Sequence, residues 1–376
     1  MIYFDNSATS YPKPVSVTNQ VMRALQLFSF NSGRGGYKES IRASEKIYNV
    51  RKKLALMFGA SRENVIFTKN CSEALNIAIK GVLSLGDHLV ISNLEHNSVS
   101  RVAEYLYNKE MIDYSVFDFS YDKKDCIKSF LSHIREETKA VVCTVASNVF
   151  GVTLPFKEIG KICREKGIIF ILDAAQGGGL VDIDMVRDNI DILCCAGHKA
   201  LYGPMGTGFM IINTKCSVEP LMHGGTGSNS LLSSQPDFMP DRFETGTLNN
   251  PGIIGLGAGI DFVSNMGIKN IYDSEMRLCE LLYDELKNIP EVELYTLSPT
   301  ESKSIPIISF NYKNYSGEKT ALLLADKGIC TRGGYHCSYL AHNAFNTTDR
   351  GTVRISMGIH NTQRECIKML NVLKNI

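Results

Sequence analysis

The feature that most constrains the fold is a series of short apolar runs that alternate with helical patterns in the first part of the chain. Stretches with helical periodicity lie between several of these runs, residues 156–166 being one example. Short strands separated by helices are typical of parallel β-structure with helices on both faces. We therefore predict an α/β fold with a mostly parallel seven-stranded sheet. The strand-like runs are residues 65–68, 88–92, 114–119, 140–146, 168–172, 190–196 and 208–212.

The pattern changes after residues 249–252, Asn-Asn-Pro-Gly. Two helical stretches follow there, and they lead into shorter strands and further helices, which is typical of an α+β unit. We expect a large domain over residues 15–250. A small α+β domain is expected to comprise residues 1–14 and 251–376.

Composition and charge exclude several classes of protein. The formal net charge of +1 gives no electrostatic reason to expect binding to nucleic acid or to an anionic membrane. We find no apolar run of about 18 residues, the length that would indicate a transmembrane helix. None of the eleven cysteines forms a CxxC pair, so we predict free thiols and no metal site. With no leader-like N-terminus, a cytoplasmic location is expected.

The strongest chemical signal is Lys199, in the sequence Gly197-His198-Lys199 directly after the apolar run 190–196. A strand followed by a short loop places this lysine at the rim of the predicted sheet. A lysine with apolar or cationic neighbours loses its proton more easily, and the free amine can form a Schiff base with an aldehyde. Taken alone, the alternative is a solvated loop lysine.

Other strand ends carry polar residues as well, and in an open α/β sheet ligands bind at the carboxyl ends of the strands. The run 65–68 is followed by a helix in which Ser72 is predicted to be the N-cap. The backbone N–H groups around Cys71 and Ser72 would then suit a phosphate, whereas the alternative is a capped helix with no ligand. Asp173 follows the run 168–172. It either caps the next turn or faces a protonated pyridine nitrogen.

Two further residues give weaker signals. His96 follows a strand and could stack on a flat ring, although a lone histidine is more often a cap or a surface residue. Asn148 follows the run 140–146 and could donate a hydrogen bond to a phenolic oxygen. Together with a lysine, a carboxylate and a phosphate site, these residues form the set that pyridoxal 5'-phosphate requires. We therefore predict that cofactor.

Two motifs that contain these residues resemble those of the class V aminotransferase superfamily and, within it, the cysteine desulfurases. They are residues 172–176, Leu-Asp-Ala-Ala-Gln, and residues 197–199, Gly-His-Lys; residues 3–9 resemble the family's opening segment. The resemblance covers nearly the whole chain and implies fold type I of the pyridoxal-phosphate-dependent transferases. It also implies that Gln176 and His198 contact the cofactor.

The same resemblance implies a homodimer. Residues 243–247, Phe-Glu-Thr-Gly-Thr, are similar to the segment that in the family reaches the phosphate bound by the neighbouring subunit. Thr247 would therefore bind the cofactor across the dimer. The chain differs from the family at Ala196, where a serine or threonine usually provides a hydroxyl to the phosphate.

Residues 332–337, Arg-Gly-Gly-Tyr-His-Cys, resemble the Arg-x-Gly-x-His-Cys motif of the second group of desulfurases, the Suf-type and selenocysteine lyase-like enzymes. The glycines indicate an exposed loop, and Arg332 and His336 could favour the Cys337 thiolate. A free cysteine is otherwise more often a small buried residue. By the resemblance, Cys337 is the catalytic thiol, and Arg354 binds the substrate carboxylate with help from Arg332 and Asn148.

The resulting hypothesis is a cysteine desulfurase that converts L-cysteine to L-alanine and leaves a persulfide on Cys337 for an acceptor protein. Lys199 would act as the base, and His96 would assist proton transfer. Three alternatives stay open at this point: a selenocysteine lyase, a class V aminotransferase or β-lyase that needs no thiol, and an inactive scaffold in a sulfur-transfer assembly.

Overall fold

The structure, a computed structural model, describes residues 1–33, 35–213 and 216–376. The strands are β1 (Ile2–Tyr3), β2 (Val65–Thr68), β3 (Asp87–Ser92), β4 (Ile112–Phe117), β5 (Thr138–Thr144), β6 (Ile169–Asp173), β7 (Ile192–Ala196), β8 (Gly208–Ile212), β9 (Val292–Leu294), β10 (Ile307–Tyr312), β11 (Ile329–Cys330), β12 (Arg332–Gly334) and β13 (Thr352–Ser356). The helices are α1 (Val15–Leu27), α2 (Lys38–Met57), α3 (Cys71–Val82), α4 (Asn97–Asn108), α5 (Lys123–Ser132), α6 (Phe156–Lys166), α7 (Asn250–Met266), α8 (Ile268–Lys287), α9 (Pro299–Ser302), α10 (Gly317–Asp326), α11 (Tyr339–Ala344) and α12 (Gln363–Leu373).

Seven strands form the large sheet, in the order β2-β8-β7-β6-β5-β3-β4. Its one antiparallel member is β8, which runs against both β2 and β7. The predicted α/β fold with a mostly parallel seven-stranded sheet is therefore confirmed. Each predicted strand overlaps an observed one, with ends that differ by no more than two residues.

The sheet is covered on both faces, which explains why its central strands are apolar along their whole length. On one face, α2, α6 and α7 contribute to a core that includes Leu54, Ile159 and Leu256. On the other face, α3 and α4 contribute Leu75 and Val102. Side chains of both alternating sets are therefore buried, and each of the five residues of β7 is inaccessible to solvent.

A second, antiparallel sheet with the order β12-β13-β10-β9 lies in the C-terminal part of the chain. It packs with α8 and α12 around a separate core that includes Phe4, Phe310 and Leu370. The N-terminal strand β1 pairs in parallel with β11, which brings the start of the chain to this unit. The division of the chain at residue 250 stays a prediction; α7, which begins there, packs against α1 and α2.

The start of the Arg332–Cys337 segment differs from the expected loop. Residues 332–334 form β12, in which Arg332 lies opposite Arg354 of β13. The loop begins only at Tyr335. This pairing fixes two arginines side by side at the edge of the small sheet that faces the large one.

Candidate active site

The carboxyl ends of the parallel strands of the large sheet and the edge of the small sheet together enclose a cavity of about 220 Å³. Nearly all the residues that the sequence predicted for the site line this cavity. They are Cys71, Ser72, His96, Asn148, Asp173, Gln176, His198, Lys199, Arg332, Cys337 and Arg354. Thr247 does not line it and is exposed.

Lys199 lies in the turn that follows β7. The turn is closed by backbone hydrogen bonds from Gly203 to Gly197 and from Tyr202 to Lys199, at 2.8 Å each. Burial lowers the pKa of the Lys199 amine, and the opposing charge of Asp173 offsets this only in part. The alternative of a solvated loop lysine is therefore wrong, since the amine sits in the cavity and part of its population can be neutral.

Asp173, the last residue of β6, uses one carboxylate oxygen within the protein. Oδ1 accepts hydrogen bonds from the Ala175 backbone N–H at 2.8 Å and from the Cys71 thiol at 3.5 Å. Oδ2 has no hydrogen-bond partner among the described residues. Burial raises the pKa of Asp173, while the Ala175 N–H and the charge of Lys199 lower it. One oxygen therefore caps the turn, and the other remains available to a ligand; that it faces a pyridine nitrogen stays a prediction.

The start of α3 corrects one prediction. The N-cap is Asn70, whose Oδ1 accepts from the Glu73 N–H at 2.9 Å, and not Ser72. The Ser72 hydroxyl instead lies 2.6 Å from the Ser98 hydroxyl. Because Asn70 satisfies the third N–H of the helix, the N–H groups of Cys71 and Ser72 remain without a partner among the described residues. They retain the capacity to bind an anion.

His96 is the N-cap of α4, and its Nδ1 accepts from the Ser98 N–H at 3.0 Å. The capping role that the sequence left open is therefore present, and the ring also lines the cavity. Burial, aided by the positive charges of Lys199 and Arg332, lowers the pKa of His96 to about 4. The ring is neutral near neutral pH and carries its proton on Nε2, because Nδ1 accepts a hydrogen bond.

Cys337 lies in the loop between β12 and α11 and is exposed, whereas the other cysteines are buried or half-buried. An Nη2 atom of Arg332 lies 4.0 Å from its Sγ. His336 and Cys337 both adopt left-handed backbone conformations, with φ of 51° and 57°. Such conformations cost free energy in non-glycine residues and persist only where surrounding contacts impose them.

Three hydrogen bonds hold this loop against Asn97 and Asn148, which follow strands of the large sheet. The Asn97 N–H donates to the Cys337 carbonyl at 2.8 Å, and Asn148 Nδ2 donates to the His336 carbonyl at 2.8 Å. The Ser338 hydroxyl donates to Asn148 Oδ1 at 2.6 Å. The Asn148 amide is thus largely engaged with the loop, and only its second N–H is left for a ligand.

Arg354, in the middle of β13, is only 1% exposed. Its Nη1 donates to the Asn148 carbonyl at 2.8 Å, and its Nη2 pairs with Asp5 Oδ1 at 2.5 Å. Its Nε is buried without a partner among the described residues. This guanidinium is therefore buried next to the cavity, and its pair with Asp5 is not a surface ion pair.

Sequence reasoning missed three residues at this site. Asp5 lies in a segment that was noticed, but nothing local indicates that it reaches a strand 349 positions away. Lys13 Nζ donates to the His198 carbonyl at 2.7 Å. Glu95 is fully buried, and its Oε1 accepts from the Ser92 hydroxyl and the Thr144 N–H. Burial raises the pKa of Glu95 to about 8, and its neighbour Asp173 contributes to this. The signal available in the sequence was the position of Glu95, a charged residue close to the end of the apolar run 88–92.

The comparisons with known proteins agree with this geometry. The family model for aminotransferase class-V matches residues 2–369. This chain belongs to the class V aminotransferase family. It is 34% identical to a probable cysteine desulfurase of Methanothermobacter thermautotrophicus, and the match covers 100% of this chain and 94% of the relative. A cysteine desulfurase IscS of Clostridium botulinum is 30% identical, again over 100% of this chain and 94% of the relative.

Solved structures extend the similarity to three dimensions. An apo cysteine desulfurase from Thermococcus onnurineus NA1 superposes with a TM-score of 0.90 at 30% identity, over 100% of this chain and 94% of that one. A NifS-like protein superposes with a TM-score of 0.85 at 22% identity, over 100% and 98%, and supports the fold alone. The fold of this chain is thus that of the fold type I transferases. In the part of the chain that the structure describes, no helix is long and apolar enough to span a membrane.

Proposed function

We propose that this protein is a pyridoxal-phosphate-dependent cysteine desulfurase. The observation that carries the proposal is the position of Cys337, whose exposed thiol lines the same cavity as the buried amine of Lys199 and the carboxylate of Asp173. An aminotransferase or β-lyase would need the amine and the carboxylate but no thiol. The relatives that are named cysteine desulfurases support the same choice.

The residues of the cavity fit the cofactor. The free Asp173 Oδ2 suits a protonated ring nitrogen, the unpaired N–H groups of Cys71 and Ser72 suit a phosphate, and the Lys199 amine suits an aldehyde. His96 would stack on the ring, and Gln176 and His198 would complete the pocket. When bound, the cofactor would supply an electron sink for the bond-breaking step at the substrate.

Lys199 would act as the proton carrier of the reaction. Because burial lowers its pKa, the amine can be neutral at working pH and can take the α-proton of the substrate. The neutral His96 ring has a proton on Nε2 and an engaged Nδ1, so it can donate a hydrogen bond but does not compete as the base.

Arg354 would bind the substrate carboxylate. Its guanidinium is fixed by the Asn148 carbonyl and by Asp5, and its buried position excludes most competing water. A planar guanidinium pairs with a carboxylate through two parallel hydrogen bonds, which would orient the substrate side chain. Arg332, opposite Arg354 on the neighbouring strand, would add positive charge next to the thiol.

Cys337 would accept the sulfur atom. Overall, L-cysteine and the Cys337 thiol give L-alanine and a Cys337 persulfide: the C–S bond of the substrate breaks, an S–S bond forms, and the β-carbon gains one hydrogen. The β-carbon is thereby reduced by two electrons while the sulfur is oxidised to the persulfide level. No external oxidant or reductant is required. The guanidinium of Arg332 lies next to Sγ, the atom that would take up the sulfur. His336 cannot add charge, because burial keeps its pKa well below its usual range.

The test is to supply L-cysteine and measure alanine, sulfide and keto acid. The proposal predicts alanine and, with a reducing thiol present, sulfide. Cys337→Ser should stop sulfide release while the visible absorbance of the bound cofactor stays unchanged, and Lys199→Ala should abolish that absorbance. Formation of keto acid by a Cys337→Ser variant at the wild-type rate would instead support a lyase or aminotransferase.

We also propose a homodimer and a protein acceptor for the persulfide. Thr247 is exposed and does not line the cavity of its own chain, which supports its expected action on a second subunit. Its segment is anchored by Glu244, which accepts from the Phe67 N–H at 2.7 Å and pairs with Arg51. Thr247→Val should weaken cofactor binding without altering the monomer fold, as measured by cofactor titration.

Free thiols at all eleven cysteines suit a reducing cytoplasm.

A further inference from the structure

Two buried histidines, one in the Cys337 loop and one in the following helix α11, have no part in the chemistry described so far. His336 Nδ1 lies 3.4 Å from His342 Nε2, and the two rings are nearly parallel, with an interplanar angle of 11°. On the outer side, His342 Nδ1 lies 2.7 Å from the Thr347 hydroxyl. On the inner side, His336 Nε2 lies 3.1 Å from the Arg332 carbonyl.

The chemistry of these partners determines where each proton lies. The Arg332 carbonyl only accepts, so His336 Nε2 must carry a hydrogen. A neutral His336 then has an acceptor at Nδ1, and the hydrogen between the rings must belong to His342 Nε2. His342 Nδ1 is therefore an acceptor, and the Thr347 hydroxyl, which also lies 3.3 Å from the His342 carbonyl, donates to this closer nitrogen.

Both rings are buried, and burial lowers their pKa values, that of His342 to about 4, so the neutral form is the relevant one. Other protonation patterns place two acceptors face to face or introduce a buried charge close to Arg332 and Arg354. The hydrogen bonds thus run in one direction, from Thr347 through His342 and His336 to the Arg332 carbonyl.

This direction matters because the last two members are His336, in the Cys337 loop, and Arg332, in the strand β12 that leads into it. His336 precedes Cys337 and shares its left-handed backbone conformation, which the loop adopts only while its contacts hold. Arg332 is the residue whose guanidinium lies near the Cys337 sulfur. A side chain that fixes the His336 ring therefore also holds, through that ring, the backbone carbonyl of the arginine whose guanidinium lies next to the thiol.

We propose that His342 is a positioning residue for the Cys337 thiol, acting through a directed hydrogen-bond chain from Thr347 to the Arg332 carbonyl. His342 touches neither the cavity nor the thiol. The inference rests on the proposed function for its purpose, but the reactivity of Cys337 is measurable whether or not the protein desulfurates cysteine.

The experiment compares His342→Leu with His342→Gln in the cofactor-loaded protein. Glutamine retains an N–H donor near the position of Nε2, whereas leucine retains bulk but no donor. The first readout is the rate of Cys337 alkylation by iodoacetamide at fixed pH, followed by mass spectrometry of the Cys337 peptide. The second is kcat and KM for L-cysteine, and the cofactor absorbance reports an intact site.

We expect alkylation of His342→Leu to be about fivefold slower, the effect of losing one hydrogen bond of ordinary strength. Its kcat should fall by a similar factor with KM unchanged, and His342→Gln should stay within about twofold of the wild type. Wild-type alkylation in His342→Leu, or equally slow alkylation in both variants, would overturn the proposal. An inactive wild type whose variants still differ in alkylation would refute only the proposed function.

A nearly isosteric change at the far end of the chain covers the case in which His342→Leu does not fold. Thr347→Val removes the hydroxyl that donates to His342 Nδ1 and keeps the shape of the side chain. Slower Cys337 alkylation in this variant would support the directed chain, and an unchanged rate would overturn it.

Discussion

The contact between Asp5 and Arg354 leads to a prediction that joins stability to substrate binding. Arg354 is 1% exposed and the Asp5 side chain 21% exposed, so Asp5→Ala would leave a buried guanidinium with the Asn148 carbonyl as its main partner. Removing one partner of a buried ion pair costs about 3–5 kcal/mol. Since Asp5 is partly accessible to water, we expect the lower end, about 3 kcal/mol of unfolding free energy.

A ligand carboxylate should restore much of this loss. L-alanine carries the carboxylate of the substrate without its sulfur, and it would provide the missing anion in the Asp5→Ala variant. Ligand binding stabilises the folded state by mass action, so the variant should gain more from alanine than the wild type does. Alaninamide, which lacks the carboxylate, is the matched control and should stabilise the two proteins equally.

The assay is urea unfolding of the cofactor-loaded proteins. Unfolding is followed by far-UV circular dichroism, because the chain contains no tryptophan whose fluorescence could report it. Asp5→Asn retains an oxygen acceptor and should lose only about half as much, because a hydrogen bond to a charged group is worth about 1.5–3 kcal/mol. A loss below about 0.5 kcal/mol in Asp5→Ala, the range of ordinary surface substitutions, would refute the reasoning. Equal stabilisation of both proteins by alanine would refute it as well.

Three further predictions concern residues that sequence reasoning missed or left aside. Since the pKa of Glu95 rises from 4.5 to about 8 on folding, its contribution is complete below pH 4.5 and is lost as the pH rises to 8; Glu95→Gln should flatten stability over that range in urea titrations. Lys13→Met, which removes the ammonium from the His198 carbonyl, should lower kcat several-fold in steady-state assays and leave KM unchanged; a changed KM alone would contradict this. Arg51→Met should destabilise the protein by about 3 kcal/mol by leaving Glu244 buried and unpaired, and a second change, Glu244→Leu, should recover most of that loss in the same unfolding assay.

The part of the site carried by parallel strand ends was predictable from the sequence. Asp173 is the last residue of β6, Lys199 follows the directly paired strand β7, and the carboxyl ends of parallel strands share one edge of the sheet. The position of each residue at the end of a predicted strand was therefore enough to place the two side chains together. Arg332 and Cys337 were also found, because residues 332–337 resemble a short family motif that can be recognised locally in the sequence.

The remainder depends on contacts between distant parts of the chain. Asp5 reaches Arg354 only because β1 pairs with β11 next to the small sheet, and no local spacing encodes that. The cap of α3 was assigned to Ser72 although Asn70 occupies it, because both residue types are good caps and the difference of two positions depends on the β2–α3 turn. His342 gave no signal, since its function depends on ring contacts that form only in the folded loop.

The most direct measurement is to find which atom receives the sulfur of the substrate. The cofactor-loaded protein is mixed with isotopically labelled L-cysteine without any reducing thiol, digested under non-reducing conditions, and analysed by mass spectrometry. If the protein is a cysteine desulfurase, we predict one labelled sulfur atom on the peptide that contains Cys337 and an equal amount of L-alanine. Labelled sulfur on a different cysteine, or free sulfide with keto acid and an unmodified Cys337, would contradict it.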